Sequence, residues 1–185
     1  MIVSRGEFFG EKDKYLSLIK DGAVFIILTD TIYGLSCDAT NPAAVLKLRQ
    51  LKGMGFDKPM SVIAPSKEWI KENCLVSSLD KLPGPYTFIL PLHNKSCVSF
   101  EVNNGSDALG VRIPDHWCSK LCSEYGIPLI TTSANVTGKP NMTSVDDLDP
   151  SIKSKVDFII DEGVKEGKAS TIIDYRGGAE KVLRE

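Results

Sequence analysis

The chain is short of the side chains that most covalent catalysis needs. It has only two histidines, His93 and His116, and neither is accompanied by an obvious serine, cysteine or metal-binding partner, which argues against a hydrolase triad. Its five cysteines are odd in number and contain no Cys-x-x-Cys pair. Cys118 and Cys122, one helical turn apart beside His116, fit one face of a helix better than a metal site, because no second pair of ligands is in view. No long apolar run is present either. The longest, Ala23 to Leu28, is far too short to span a membrane. The start "MIVSRGEFFGEKDKY" lacks a basic segment followed by an apolar one, so no signal peptide is expected, and reduced cysteines point to the cytoplasm. Basic excess is also missing. The net charge is −2, so any contact with RNA has to come from a local patch.

What is present is ordinary globular material: 185 residues, 42% hydrophobic and 25% charged. That length is enough to bury a core without staples, since a domain near 150 residues hides roughly 70% of its unfolded surface. No repeat or low-complexity tract interrupts it. "AVFIILT" (23–29) reads as a fully buried strand. "NPAAVLKLRQLK" (41–52) reads as a helix capped by Asn41, with Pro42 in its first turn. Strands are expected at 59–65, 86–92, 109–114 and 127–133, and near 157–163, 169–175 and 180–185. Helices are expected at 115–126, closed by Gly126, and at 144–156. Alternating elements of this kind make a three-layer α/β sheet. Some strands follow one another without a helix between, so the sheet should be mixed. Ligands of such sheets gather at strand ends.

Four stretches carry candidate chemistry. In "IPLITTSANVTGKP" an apolar strand ends abruptly in Thr131-Thr132-Ser133-Ala134-Asn135, a run whose hydroxyls, amide and backbone N–H groups suit phosphate oxygens but equally suit a helix cap or polar turn. In "LKGMGFDKP" Lys52 and Lys58 flank a glycine-containing loop. Lys52 can act as a point charge on phosphate, although the spacing is not that of a P-loop. "TDTIYGL" places Thr29, Asp30 and Thr31 directly after the first buried strand, with Gly34 able to turn the chain. "GVRIPDH" buries Arg112 in an apolar strand, where it needs an anion. A protein carboxylate and a substrate carboxylate satisfy that need equally well.

In this order "TDTIYGL", "LKGMGFDKPMSV", "PGPYTFIL", "GVRIPDH", "TTSANVTGKP" and "ASTIIDYRGGAEKVLRE" resemble the YrdC-like family, the threonylcarbamoyl-AMP synthases, from about residue 10 to the end. The resemblance implies a single domain over residues 1–185 with an α/β, YrdC-like three-layer fold: a twisted mixed β-sheet with helices on both faces around an open cavity. It implies a nucleotidyltransferase that makes threonylcarbamoyl-adenylate and pyrophosphate from L-threonine, bicarbonate and ATP, with Mg2+ held mainly by the phosphates. A threonylcarbamoyltransferase complex would pass the group to adenosine 37 of tRNA, and the positive cavity of the family suggests a possible affinity for RNA. Carried over by position, Lys52, Ser133 and Asn135 would act in catalysis. These three with Asn141 and Arg184 would bind ATP. Thr31, Lys58, Arg112 and Ser170 would lie about the threonine.

The chain departs from the family at Met54, where the arginine of Lys-x-Arg is expected, and at the following Gly55. A lost charged donor at a phosphate costs about 1.5–3 kcal/mol, which at about 1.4 kcal/mol per decade is ten- to a hundredfold in rate. Lys58 or Arg49 is the candidate to fill the vacancy, and Met54→Arg should raise turnover if the loop keeps the family shape. The competing expectation is a weakened paralogue that binds RNA or a nucleotide without making the adenylate. Carbamoyl transfer, as in hydrogenase maturation, is a more distant third.

Overall fold

A computed structural model describes all residues, Met1–Glu185. In chain order the elements are β1 (Ile2–Ser4), α1 (Arg5–Gly10), α2 (Lys12–Lys20), β2 (Phe25–Leu28), β3 (Tyr33–Asp38), α3 (Pro42–Lys52), β4 (Ser61–Ile63), α4 (Lys67–Asn73), β5 (Tyr86–Pro91), α5 (Phe100–Asn103), β6 (Ala108–Arg112), α6 (Cys118–Tyr125), β7 (Leu129–Ser133), α7 (Pro150–Lys153), β8 (Phe158–Asp161), β9 (Thr171–Asp174) and β10 (Lys181–Arg184). The strands form one ten-stranded sheet in the order β1-β8-β2-β3-β7-β4-β6-β5-β9-β10. It is mixed as expected: β1–β8, β2–β8, β4–β6 and β5–β9 run parallel and the remaining neighbours antiparallel.

The sheet sorts its side chains by the period of two that strands impose. In β2 Ile26 and Leu28 enter one core, while Phe25 and Ile27 enter the other. The larger core, 34 buried residues, takes inward positions from nearly every central strand and includes Val45 and Leu48 of α3, Ile70 of α4, Val102 of α5 and Ile152 of α7. The smaller, 16 residues, is built mainly from β1, β2, β8 and helices α1, α2 and α6, with Ile63 of β4 and Leu129 of β7. Helices therefore lie on both faces, but those on the second face cover mainly one end of the sheet.

That asymmetry positions the site. On the second face the strands toward the other end present Gly34, Ser36, Ser61, Thr87, Gly110, Arg112, Thr131 and Ser133, alternating with core residues Leu35, Val62, Phe88, Leu109, Val111 and Ile130. Small and polar residues alternating with large apolar ones mark a sheet surface left open on one side.

Two sequence expectations need correction, and several elements went unread. Gly34 is not at a turn but inside β3, paired with Ser133. The turn lies before it, at Asp30–Thr31, where the Thr29 hydroxyl donates to the Ile32 carbonyl (2.8 Å) and accepts from the Thr31 and Ile32 amides (3.2 and 3.3 Å). β3 itself escaped detection because Gly34, Ser36 and Asp38 break its apolar run. The helix expected over 144–156 shrinks to Pro150–Lys153, because Asp147 caps a turn by accepting from the Thr143 and Ser144 amides (3.0 and 3.1 Å). The two amino-terminal helices went unread: α1 is set by a capping box between Ser4 and Glu7, and α2 buries Tyr15, Leu16 and Ile19 on one stripe.

Gly34 is needed for close approach, since a Cβ there would stand 2.3 Å from Cγ2 of Thr131. Gly34→Ala is expected to lower stability by about 1–3 kcal/mol through overpacking. Adding Thr131→Ser, which removes that methyl, should recover much of the loss in urea denaturation.

Candidate functional site

The open half-face holds a cavity of about 140 Å³ whose lining includes Thr31, Gly34, Ser61, Thr87, Arg112, Thr131, Ser133, Ser170 and Arg184. It thus gathers residues from the β2–β3 hairpin, from β4, β5, β6 and β7, and from the β9–β10 end of the chain. Of the residues nominated from sequence, Thr31, Arg112, Ser133, Ser170 and Arg184 meet in this cavity. Lys52 stands immediately behind Ser133. Asn135 and Asn141 line a second hollow together with Lys139, Asp147 and Asp149. Lys58 is exposed and lines neither.

Arg112 ends β6 and is 5% exposed. Its Nη2 donates to Oδ1 of Asp30 at 2.5 Å, and both terminal nitrogens lie 3.4 Å from the Thr31 hydroxyl. The other Asp30 oxygen accepts from the Asp115 amide at 3.1 Å. Of the two partners the sequence allowed, the protein carboxylate is therefore present, yet Nε of Arg112 is buried without a hydrogen-bond partner. Burial pulls the Arg112 pKa down, and Asp30 opposes that shift. The group stays a cation, as guanidinium does in proteins.

Arg184 reaches the same cavity from β10. Its Nε and Nη2 donate to the Ser170 carbonyl at 3.2 and 2.7 Å, and its charge also lowers the pKa of Arg112. The Ser170 hydroxyl pairs with that of Thr87 at 2.7 Å, and Thr131 pairs with Ser36 at 3.1 Å. Two guanidiniums thus face a cavity whose lining has no carboxylate, histidine or cysteine. Such a field draws anions, and it lacks the nucleophile–base pair of covalent catalysis. No group of three or more His, Cys, Asp or Glu is placed to hold a metal.

Lys52 closes the back. It is the last residue of α3, whose left-handed C-cap is Gly53 (φ 61°). Its Nζ is surrounded by four oxygens: the Ser133 carbonyl (2.6 Å) and hydroxyl (3.1 Å), and the Asn135 carbonyl (3.2 Å) and Oδ1 (2.7 Å). Its own carbonyl accepts from the amide and hydroxyl of Thr137, both at 2.9 Å. The side chain of Asn135 in turn accepts from the Ser133 hydroxyl (2.7 Å) and donates to the Lys139 carbonyl (2.5 Å). Burial brings the Lys52 ammonium down to about 8, so it is mostly charged at neutral pH.

Met54 packs against the larger core and so has taken an apolar role. Arg49 does not swing into the cavity either, because its guanidinium is held by backbone carbonyls on the far side of the loop. Sequence reasoning missed Ser36, Ser61 and Thr87. The signal is the alternation of small polar with large apolar residues along β3, β4 and β5. Cys118 and Cys122 lie together in the smaller core, and burial raises both thiols, Cys118 to about 12.

A family model described as "Telomere recombination", that of Sua5, YciO and YrdC, matches residues 17–185. A Methanocaldococcus jannaschii protein is 39% identical over 88% of this chain and 81% of its own length. The threonylcarbamoyl-AMP synthase of Vibrio campbellii is 33% identical over 94% of this chain and 97% of its own. Among solved structures, P. abyssi Sua5 complexed with L-threonine superposes with a TM-score of 0.81 at 29% identity, over 92% of this chain. This chain spans about half, 52%, of that longer one. No helix of the fold is long and apolar enough to cross a membrane.

Cutting the Asp30–Arg112 pair on one side leaves a buried charge alone. Asp30→Ala should therefore cost about 3–5 kcal/mol in denaturant unfolding, whereas Lys95→Ala, which breaks the exposed pair with Asp107, should cost less than about 1 kcal/mol.

Proposed function

The chain belongs to the Sua5/YciO/YrdC family, and from that premise we infer that it is a threonylcarbamoyl-AMP synthase, a nucleotidyltransferase acting on L-threonine, bicarbonate and ATP. The observation that carries this reading is the cavity on the open half-face where Arg112, Arg184, Ser133 and a ring of hydroxyls converge without a nucleophile–base pair. The reaction needs that kind of site. The threonine amine takes up the carbon of bicarbonate with loss of water. The resulting carbamate oxygen then attacks the α-phosphorus of ATP, a P–O bond forms, the bond to pyrophosphate breaks and pyrophosphate leaves. No enzyme atom becomes covalently attached. The protein has to hold carboxylate, carbamate and triphosphate close together, and good positioning alone supplies on the order of 7–11 kcal/mol.

Arg112 and Thr31, at the hairpin end of the cavity, are assigned to the threonine carboxylate, with Ser170 beside the carbamate. Ser133, Asn135 and the backbone of that turn are assigned to the phosphates, and Arg184 to the nucleotide from the opposite rim. Asn141 lines the neighbouring hollow and Lys58 is exposed outside both, so neither carries the present assignment. Lys52 serves mainly by shaping the Ser133–Asn135 turn from behind while lending its charge. With no carboxylate in the lining, magnesium would enter as part of the ATP substrate. The product's mixed anhydride calls for an acceptor enzyme, which we assign to a tRNA threonylcarbamoyltransferase acting at adenosine 37, in the cytoplasm. Direct contact of this chain with RNA has only the cationic field of Arg112 and Arg184 in its favour.

Threonine- and bicarbonate-dependent release of pyrophosphate from ATP tests the reading. Lys52→Ala and Ser133→Ala should each lower it about ten- to a hundredfold, the loss of one charge-assisted contact or more, with the fold intact. Nucleotide binding with no threonylcarbamoyl-adenylate in the mass spectrum would reject synthesis and leave a binding module. The pH dependence has a defined sign. Above about pH 8 Lys52 loses its proton, so kcat/KM for ATP, which reports the free enzyme, should fall there. In Lys52→Arg, charged throughout, that alkaline fall should disappear.

A further inference from the structure

Arg49 lies one helical turn before Lys52 in α3, is 2% exposed and has no carboxylate within ion-pair distance in the structure. Its guanidinium donates to four backbone carbonyls on two separate segments. Nη1 donates to Gly55 (2.8 Å) and Nη2 to Lys58 (3.0 Å); Nε donates to Glu101 (2.8 Å) and Nη2 also to Val102 (3.3 Å) in α5. The ring of Phe56 covers it at 5.3 Å. The segment so held, residues 53–59, is neither helix nor strand and contains two glycines, which give it conformational freedom. Within it the one backbone bond is a long one, the Lys58 amide to the Gly55 carbonyl at 3.4 Å. It begins at Lys52 and leads into Ser61 on the cavity wall.

We infer that Arg49 is a positioning residue for the nucleotide side of the site, fixing the loop between Lys52 and Ser61 against α5 so that both ends meet the substrate from set places. This rests on the synthase reading. Only a planar group with five donors spans both segments at once; an ammonium at the end of a lysine cannot reproduce that fork. The loop has a methionine at the position where an arginine is expected, and the guanidinium behind it supplies rigidity in place of a direct contact.

The test compares wild type with Arg49→Lys and Arg49→Ala. Amides of residues 53–58 should exchange with deuterium about tenfold faster in both variants, as expected of a locally loosened segment, while those of β3 and β7 keep wild-type rates. KM for ATP should rise about ten- to a hundredfold, the range for a small misplacement of reacting groups, with KM for threonine unchanged. Free guanidinium at millimolar concentration should recover part of that loss in Arg49→Ala. Wild-type exchange and wild-type KM for ATP in folded Arg49→Lys would overturn the inference. So would a parallel rise in both KM values, which marks general loosening. If Arg49→Ala does not fold, Arg49→Lys decides. A wild type that releases no pyrophosphate with threonine and bicarbonate would instead overturn the synthase reading, and with it the nucleotide role given to Arg49.

Discussion

One buried ammonium organises the site. The Nζ of Lys52 joins the end of α3 to the turn that follows β7 through four oxygens. Charge-assisted hydrogen bonds of this kind contribute about 1.5–3 kcal/mol each, against a burial cost that already shows in the depressed pKa of the group. Without the ammonium, four oxygens of Ser133 and Asn135 would lose their shared donor.

The last turn of α3 works in two directions from this point. Lys52 points toward the β7 turn, and Arg49 points back toward α5 and the following loop. The same turn ends in a left-handed glycine, so the chain leaves the helix sharply. Opposite it, Asp30 does for Arg112 what the Ser133–Asn135 oxygens do for Lys52. Each cation is held by the protein before any ligand arrives, which is the preorganisation that electrostatic stabilisation requires.

Much of this could be read from the residues alone, and the rest has physical reasons for staying hidden. The strand at 25–28 and the helix at 42–52 announce themselves through an unbroken apolar run and an Asn-Pro start. The meeting of Ser133, Arg112 and Arg184 followed from an ordered set of motifs. β3 was concealed by its own function, because a strand facing an open cavity carries glycine, serine and aspartate where a core strand carries valine. Lys58 and Asn141 were nominated by motif position alone. Sequence position brought them near the site, but the loop geometry turns Lys58 to solvent and places Asn141 in a neighbouring hollow. The partner of Arg112 was open between two carboxylates, and the hairpin supplies one of them, Asp30, before any ligand arrives.

The cavity has a stiff floor and a soft rim. Its floor is the interior ladder of the sheet, but Arg184 belongs to β10, an outermost strand with every residue exposed and a register irregularity between Val182 and Arg184. Affinity scales with the fraction of molecules in which the binding-competent arrangement is formed. Fraying of that border strand therefore weakens a ligand that never touches its neighbours. Any polypeptide that docks along the free edge of β10 and extends the sheet would tighten binding at a distance, with no new contact to the ligand itself.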